Sequence, residues 1–184
     1  MKTLYAILII TLASCATSKD SLTVQPIAKS WPNADLQAYA SEAVYGIPRF
    51  AGDTEYCPNG MTQRNYTHLL AAIAKHESNF NPSLIYKESF RNGRGEYVIS
   101  TGLHQVSYES SRGYGFPGIT TQDLKDPYLN IAVAAAILKK LVSRDGVLSE
   151  YRDGRWRGGS AYWSTLRSTG KLSSVKAYLA RFCE

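Results

Sequence analysis

Apolar residues recur with a helical period in several stretches of the chain. Leu36, Tyr39, Ala40, Ala43 and Val44 form one stripe, which Asn33 or Asp35 can cap and Gly46 and Pro48 end. Leu69, Leu70, Ile73 and Ala74 form a second, on a helix that starts near Asn65. Pro82 cannot continue that helix and biases Asn81 away from helical backbone. The clearest pattern is LKDPYLNIAVAAAILKKLVSRDG. Asp126 caps it, Pro127 takes the first position, and Gly146 ends it. Ile131, Ala134, Ala135, Leu138, Leu141 and Val142 share one face, and the run from Ile131 to Leu138 is uncharged all round, which predicts a central buried helix. GGSAYWSTLRS reads as a shorter helix after a glycine turn, and Val175, Tyr178, Leu179 and Phe182 mark a last one. Residues 47–64 read as loop. Residues 85–118 are rich in Gly and Tyr and alternate briefly at Tyr97 to Ile99, which fits a small β-ribbon or an ordered loop. There is no internal repeat. The expected class is all-α with one small irregular or β insert.

One position breaks the pattern. The stripe through Leu70 and Ile73 continues to Glu77 and Ser78, one turn before the helix ends. Burial disfavours an ionised carboxylate and raises its pKa. Glu77 is therefore either a rim carboxylate, solvated because the stripe rotates slightly, or a carboxylic acid kept protonated near neutral pH for use as a general acid.

Bulk properties narrow the setting. A chain of 184 residues, 44% hydrophobic and 20% charged, supports one globular domain. The formal charge of +6 favours anionic partners, among them nucleic acid, anionic lipid and the acidic polymer of a bacterial wall. The basic residues are scattered, and RDGRWRGG at Arg152 to Gly159 is too short for a nucleic-acid groove, so no nucleic-acid partner is expected. MKTLYAILIITLASC carries Lys2 and an apolar stretch from Leu4 to Leu12 that is too short to span a membrane and fits a signal-peptide core. LASC, ending at Cys15, resembles a bacterial lipobox, in which the Cys is lipidated and becomes the first mature residue; an ordinary cleaved signal is the alternative. By likeness to lipoproteins, Ala16 after the Cys implies the outer membrane. The expected organisation is a signal peptide at 1–14, a lipidated N-terminus and tether at 15–33, and a folded domain at 34–184. Two cysteines remain, Cys57 and Cys183. In an oxidising compartment a disulfide between them is the natural reading, whereas two Cys make a poor metal site and no His-Glu-x-x-His pattern accompanies them.

Four short motifs stand in one order: Glu77-Ser78, Gly102-Leu103-His104-Gln105, Asn130-Ile131, and Gly158-Gly159-Ser160-Ala161-Tyr162-Trp163. Together, over roughly residues 65–170, they resemble the lysozyme-like superfamily of peptidoglycan glycosidases, which includes lytic transglycosylases and goose-type lysozymes. The stretch NGRGEYVISTGLHQVS is similar to the goose-type pattern, in which Asp residues stand at the positions of Glu96 and Ser107 and are linked to holding the attacking water. This chain keeps a carboxylate at the first position and loses it at the second. His104 stands in place of the usual Met, and Trp163 in place of the usual Asn.

The resemblance implies a lysozyme-like fold and cleavage of the β-1,4 bond between N-acetylmuramic acid and N-acetylglucosamine. It casts Glu77 as general acid. Glu96 is the candidate second carboxylate, with a solvated turn residue as the alternative. Gln105, His104, Ser107, Tyr114 and Tyr162 are candidate substrate contacts, though Gln105 can instead satisfy turn backbone, and His104 and Tyr162 can instead pack in the core. Tyr114, within GYGFPG, is a candidate stacking platform. Hydrolysis is expected, with lytic transglycosylation to 1,6-anhydro ends as the alternative. A non-catalytic wall-binding lipoprotein and an inhibitor or adhesion module are the further ones. Proton transfer and carboxylate chemistry need no metal or organic cofactor. The expected partners are glycan strands and, through the lipid, a membrane; a monomer facing the periplasm, or secreted, is expected.

Overall fold

Helix α1 (Ala34–Ala43) begins where the Asn33 side chain accepts the Leu36 N–H at 2.8 Å. Helix α2 (Gln63–Ser78) begins two residues before the expected start, because Thr62 caps it by accepting the Asn65 N–H. These elements belong to a computed structural model of the protein that describes residues 29–50 and 53–183. The lipobox-like segment and Cys15 lie outside the described residues.

Every residue of α2 from Asn65 to Ala74 is buried, so α2 is as central as the expected core helix α4 (Pro127–Asp145). The local signals for α4 act as anticipated: Asp126 accepts the Leu129 N–H at 2.8 Å, Pro127 opens the helix, and Gly146 closes it in a left-handed conformation. Helix α1 packs on α4, and the last helix, α5 (Thr169–Leu179), packs on α2. The Cys57–Cys183 disulfide, with Cα atoms 5.4 Å apart, ties the chain end to the segment before α2.

The class is α plus β rather than all-α. Strands β1 (Ile85–Arg91), β2 (Tyr97–Thr101) and β3 (Val106–Ser107) form an antiparallel sheet in the order β1-β2-β3, and the short helix α3 (Tyr108–Gly113) leaves directly from it. A second hairpin, β4 (Ser149–Arg152) and β5 (Arg155–Gly158), occupies the stretch whose arginines stood out in the sequence. Its turn is Asp153-Gly154, both at positive φ, the backbone that a two-residue hairpin turn requires.

GGSAYWSTLRS is not a helix but two 3-10 turns, Gly159–Ala161 and Ser164–Leu166, with Trp163 extended between them. Arg167 accounts for this. Its guanidinium donates to the carbonyls of Ser160, Ala161 and Tyr162, groups that a continuing helix would pair with its own next turn.

The packed domain also begins earlier than residue 34. Trp31 is 3% exposed, its indole N–H donates to the Thr67 carbonyl, and its ring meets Phe80 and His104. Buried Ser30 is held by Gln37, His68 and Tyr178.

Candidate active site

The end of α2 is pinned to the turn after β2. The Ser78 hydroxyl reaches the Leu103 carbonyl at 2.8 Å, and Asn79 and Phe80 then take left-handed backbone that carries the chain away. Glu77, half-buried, is left facing a cleft of about 650 Å³ between the helices and the sheet. Burial raises its pKa above the ordinary value, and the negative charge of Glu88 adds to the rise. The Thr165 hydroxyl, which donates to Glu77 Oε1, and the Lys171 ammonium act against it. More of the carboxyl is therefore protonated at neutral pH than in a free glutamate, the state from which an acid can donate.

The turn Gly102–Gln105 forms the floor. Gly102 has φ +80°, and a Cβ there would lie 2.3 Å from Asn130 Nδ2 and 2.5 Å from the Leu124 carbonyl. Asn130 itself is fully buried. Its amide donates to the carbonyls of Thr101 and Leu124, and its Oδ1 accepts the His104 N–H, each at 2.9 Å. The asparagine of the Asn130-Ile131 motif thus holds the floor turn onto α4. Gln105, at φ +48°, donates its side-chain amide to the Leu84 and Gly102 carbonyls and lines the cleft.

The sheet supplies the opposite wall. Lys87 pairs with Ile99 and Arg91 with Tyr97, so β1 advances four residues while β2 advances two. Glu88, Ser89 and Phe90 bulge out opposite Val98. Along β1, Glu88 alone is half-buried and the other six residues are exposed. Glu88 lines the cleft with Glu77, and its Oε1 accepts the Ser100 hydroxyl at 2.6 Å.

Of the residues singled out from sequence, Glu77, Gln105, Ser107 and Tyr162 line this cleft. Ser107 also caps α3 by accepting the Ser110 N–H, and its own N–H points to the Tyr162 hydroxyl at 3.4 Å. Tyr114 packs edge-on against Tyr162, outside the cleft lining, with the Lys140 ammonium over its ring.

Three candidates do not line the cleft: Tyr114, and two that take the alternative the sequence left open, Glu96 as a turn residue and His104 as a packed ring. Glu96 is exposed at the tip of the β1–β2 hairpin, outside the cleft lining, where its carboxylate accepts from Asn92 at 3.2 Å. It stands there because the four-residue turn from Asn92 to Gly95 closes on it: Asn92 donates its N–H to the Glu96 carbonyl and takes the Glu96 N–H on its side chain. His104 is 0% exposed, so it cannot touch a sugar. Its ring lies between Asn130 Oδ1 at 3.2 Å and the Leu70 carbonyl at 3.1 Å, and burial pushes its pKa down to about 4. The neutral ring fills the core under the floor turn, and its carbonyl accepts the Trp163 indole N–H at 3.0 Å. Among the described residues, no group of three or more His, Cys, Asp or Glu is arranged to hold a metal ion.

Glu88 and Thr165 reach the site without a sequence motif to mark them. Alternation with Tyr86 and Phe90 puts Glu88 on one face of β1, but only the bulge, which is set by the pairing, turns that face to the cleft. Thr165 carries no local signal, since it reaches Glu77 across 88 residues of chain.

A comparison with curated proteins finds no match. Among solved structures the chain is similar to wild-type Bd0314 DslA, form 2, with 30% identity, a TM-score of 0.71, and coverage of 82% of this chain and 91% of that one. Two variants of that protein, each with one glutamate replaced by glutamine, match with 29% identity and a TM-score of 0.72 over the same shares. The model of the transglycosylase SLT domain matches residues 59–164, a span that contains Glu77, Glu88, the floor turn, Asn130 and Tyr162. Through it come the lysozyme-like superfamily and an enzyme acting on peptidoglycan, as glycoside hydrolase or lytic transglycosylase. This chain belongs to the transglycosylase SLT domain family.

Proposed function

We propose that this protein is a muramidase that hydrolyses the β-1,4 bond between N-acetylmuramic acid and N-acetylglucosamine, with Glu77 as the general acid and Glu88 as the carboxylate that holds the attacking water. The observation that carries the reading is a pair: of the three carboxylates on the cleft, Glu109 is held by the Asn92 amide at 2.8 Å, while Glu77 and Glu88 come from different elements and Glu77 is driven toward its protonated form by burial. Glu77 gives its proton to the leaving glycosidic oxygen. Glu88, oriented by the Ser100 hydroxyl, accepts a proton from water as that water closes on the anomeric carbon. The likeness to the solved variants supports pairing these two. The two glutamates replaced there stand eleven residues apart, the separation of Glu77 and Glu88. Glu96 has no part in this reading, because its carboxylate stands outside the cleft lining at the hairpin tip. The enzyme acts, on this reading, from a lipid anchor at Cys15.

The family description favours a second outcome, lytic transglycosylation. There Glu77 still protonates the leaving oxygen, but the muramic 6-hydroxyl attacks the anomeric carbon, gives its proton to the Glu77 carboxylate, and leaves a 1,6-anhydro end. Mass analysis of products from purified sacculi separates the two, since an anhydro end is lighter by one water. Reducing muramic ends support hydrolysis, and predominantly anhydro ends refute it. Glu77→Gln and Glu88→Gln should each lower turnover by about 10²–10⁴-fold, while Glu96→Gln stays near wild type. A fully active Glu88→Gln variant would remove the second carboxylate from the mechanism.

A further inference from the structure

The bulge in β1 does a second thing besides turning Glu88 inward. Phe90 lies two residues along the same face, lines the same cleft, and is 58% exposed. A phenyl ring normally buries a large apolar area. Among the described residues no aromatic ring and no cation packs on this one. Tyr97, on the paired strand, makes the contrast. Its ring has the Lys87 ammonium at 3.8 Å and the Arg91 guanidinium at 3.9 Å. Phe90 thus presents an uncovered apolar face on the lining of a carboxylate-bearing cleft.

A β-1,4-linked pyranose has the complementary shape. Its bulky substituents are equatorial, so the flat faces of the ring are made of axial C–H groups, which lie favourably on the negative face of an aromatic ring. We propose that Phe90 is a saccharide-stacking platform, forming a subsite for a ring of the glycan strand beyond the two that flank the scissile bond. The proposal rests on the glycan-cleaving reading above, and the bulge serves both: it sets the water-holding carboxylate and the stacking face on one wall. Phe90 contributes binding rather than proton transfer, since it has no group to exchange.

The test separates binding from catalysis. In the full chain carrying Glu77→Gln, the dissociation constant is measured by calorimetry for a peptide-free octasaccharide of alternating N-acetylglucosamine and N-acetylmuramic acid. Adding Phe90→Ala should weaken binding about tenfold, and adding Phe90→Tyr, which keeps the stacking face, should leave it within about twofold. In the otherwise wild-type enzyme Phe90→Ala should raise KM on soluble glycan with kcat unchanged. Unaltered octasaccharide binding by the Phe90→Ala protein overturns the platform and leaves the proposed reaction standing. Equal losses in the Ala and Tyr proteins also overturn it. No binding by the Glu77→Gln parent overturns the glycan reading and the platform with it.

Discussion

Replacing Gly102 with alanine probes the joint between the floor turn and the central helix. Two effects add. The first is conformational: at φ +80° an L-residue is disfavoured by roughly 1–2 kcal/mol. The second is contact. The new methyl would sit 2.3 Å from Asn130 Nδ2 and 2.5 Å from the Leu124 carbonyl. Neither can step aside freely, because Asn130 is fully buried and both of its amide hydrogens are already donated at 2.9 Å. Relief requires pulling the amide off at least one buried carbonyl, which costs about 1–3 kcal/mol. The sum is about 2–5 kcal/mol, a large part of a domain stability of about 5–15 kcal/mol. Gly95→Ala is the internal control. Gly95 has nearly the same backbone, φ +79°, but nothing lies within 4 Å of a Cβ there, so it carries only the conformational part. Urea unfolding followed by far-ultraviolet circular dichroism gives both numbers, with unchanged m-values showing that the same unit unfolds. Wall-clearing activity of Gly102→Ala should fall below its folded fraction, since the displaced turn carries Gln105. Equal destabilisation by the two substitutions would show that Asn130 does not lock the turn, and the account of the floor would be wrong.

Thr165→Val removes the hydroxyl that favours the ionised form of Glu77 while keeping side-chain volume. An acid works while protonated and stops as pH rises through its pKa, so the alkaline limb of kcat/KM should move to higher pH; a limb that stays or falls refutes the role of Thr165. The Cys57–Cys183 bridge closes a loop with a sequence separation of 126, so its reduction should lower stability by about 2–4 kcal/mol, measured as a drop in the urea midpoint in reductant. Thiol titration of the denatured, unreduced protein should find neither Cys57 nor Cys183 free, and two labelled thiols would count against the bridge.

What the sequence determined by itself was local. Asp126, Pro127 and Gly146 specify both ends of α4 because capping involves groups within a turn of each other. The helix that ends at Glu77-Ser78 was legible for the same reason: an apolar period and a proline are properties of adjacent residues. The odd carboxyl on that stripe pointed to the site before any contact was visible. What only the tertiary structure decided was non-local. A strand's inward face depends on its pairing, and two extra residues in β1 relative to β2 brought Glu88 and Phe90 to the cleft while Glu96 stayed at the hairpin tip. For His104, beside Gln105, the local sequence left a sugar contact and a packed core ring both open. Asn130, 26 residues away, and Leu70, 34 away, draw its ring into the core. The GGSAYWSTLRS stretch failed as a helix because one guanidinium took three of its carbonyls, a competition that periodicity does not register. Period and caps act between neighbours in the chain, whereas which carboxylates share a cleft depends on how distant segments pack, and that is settled only when the whole chain has folded.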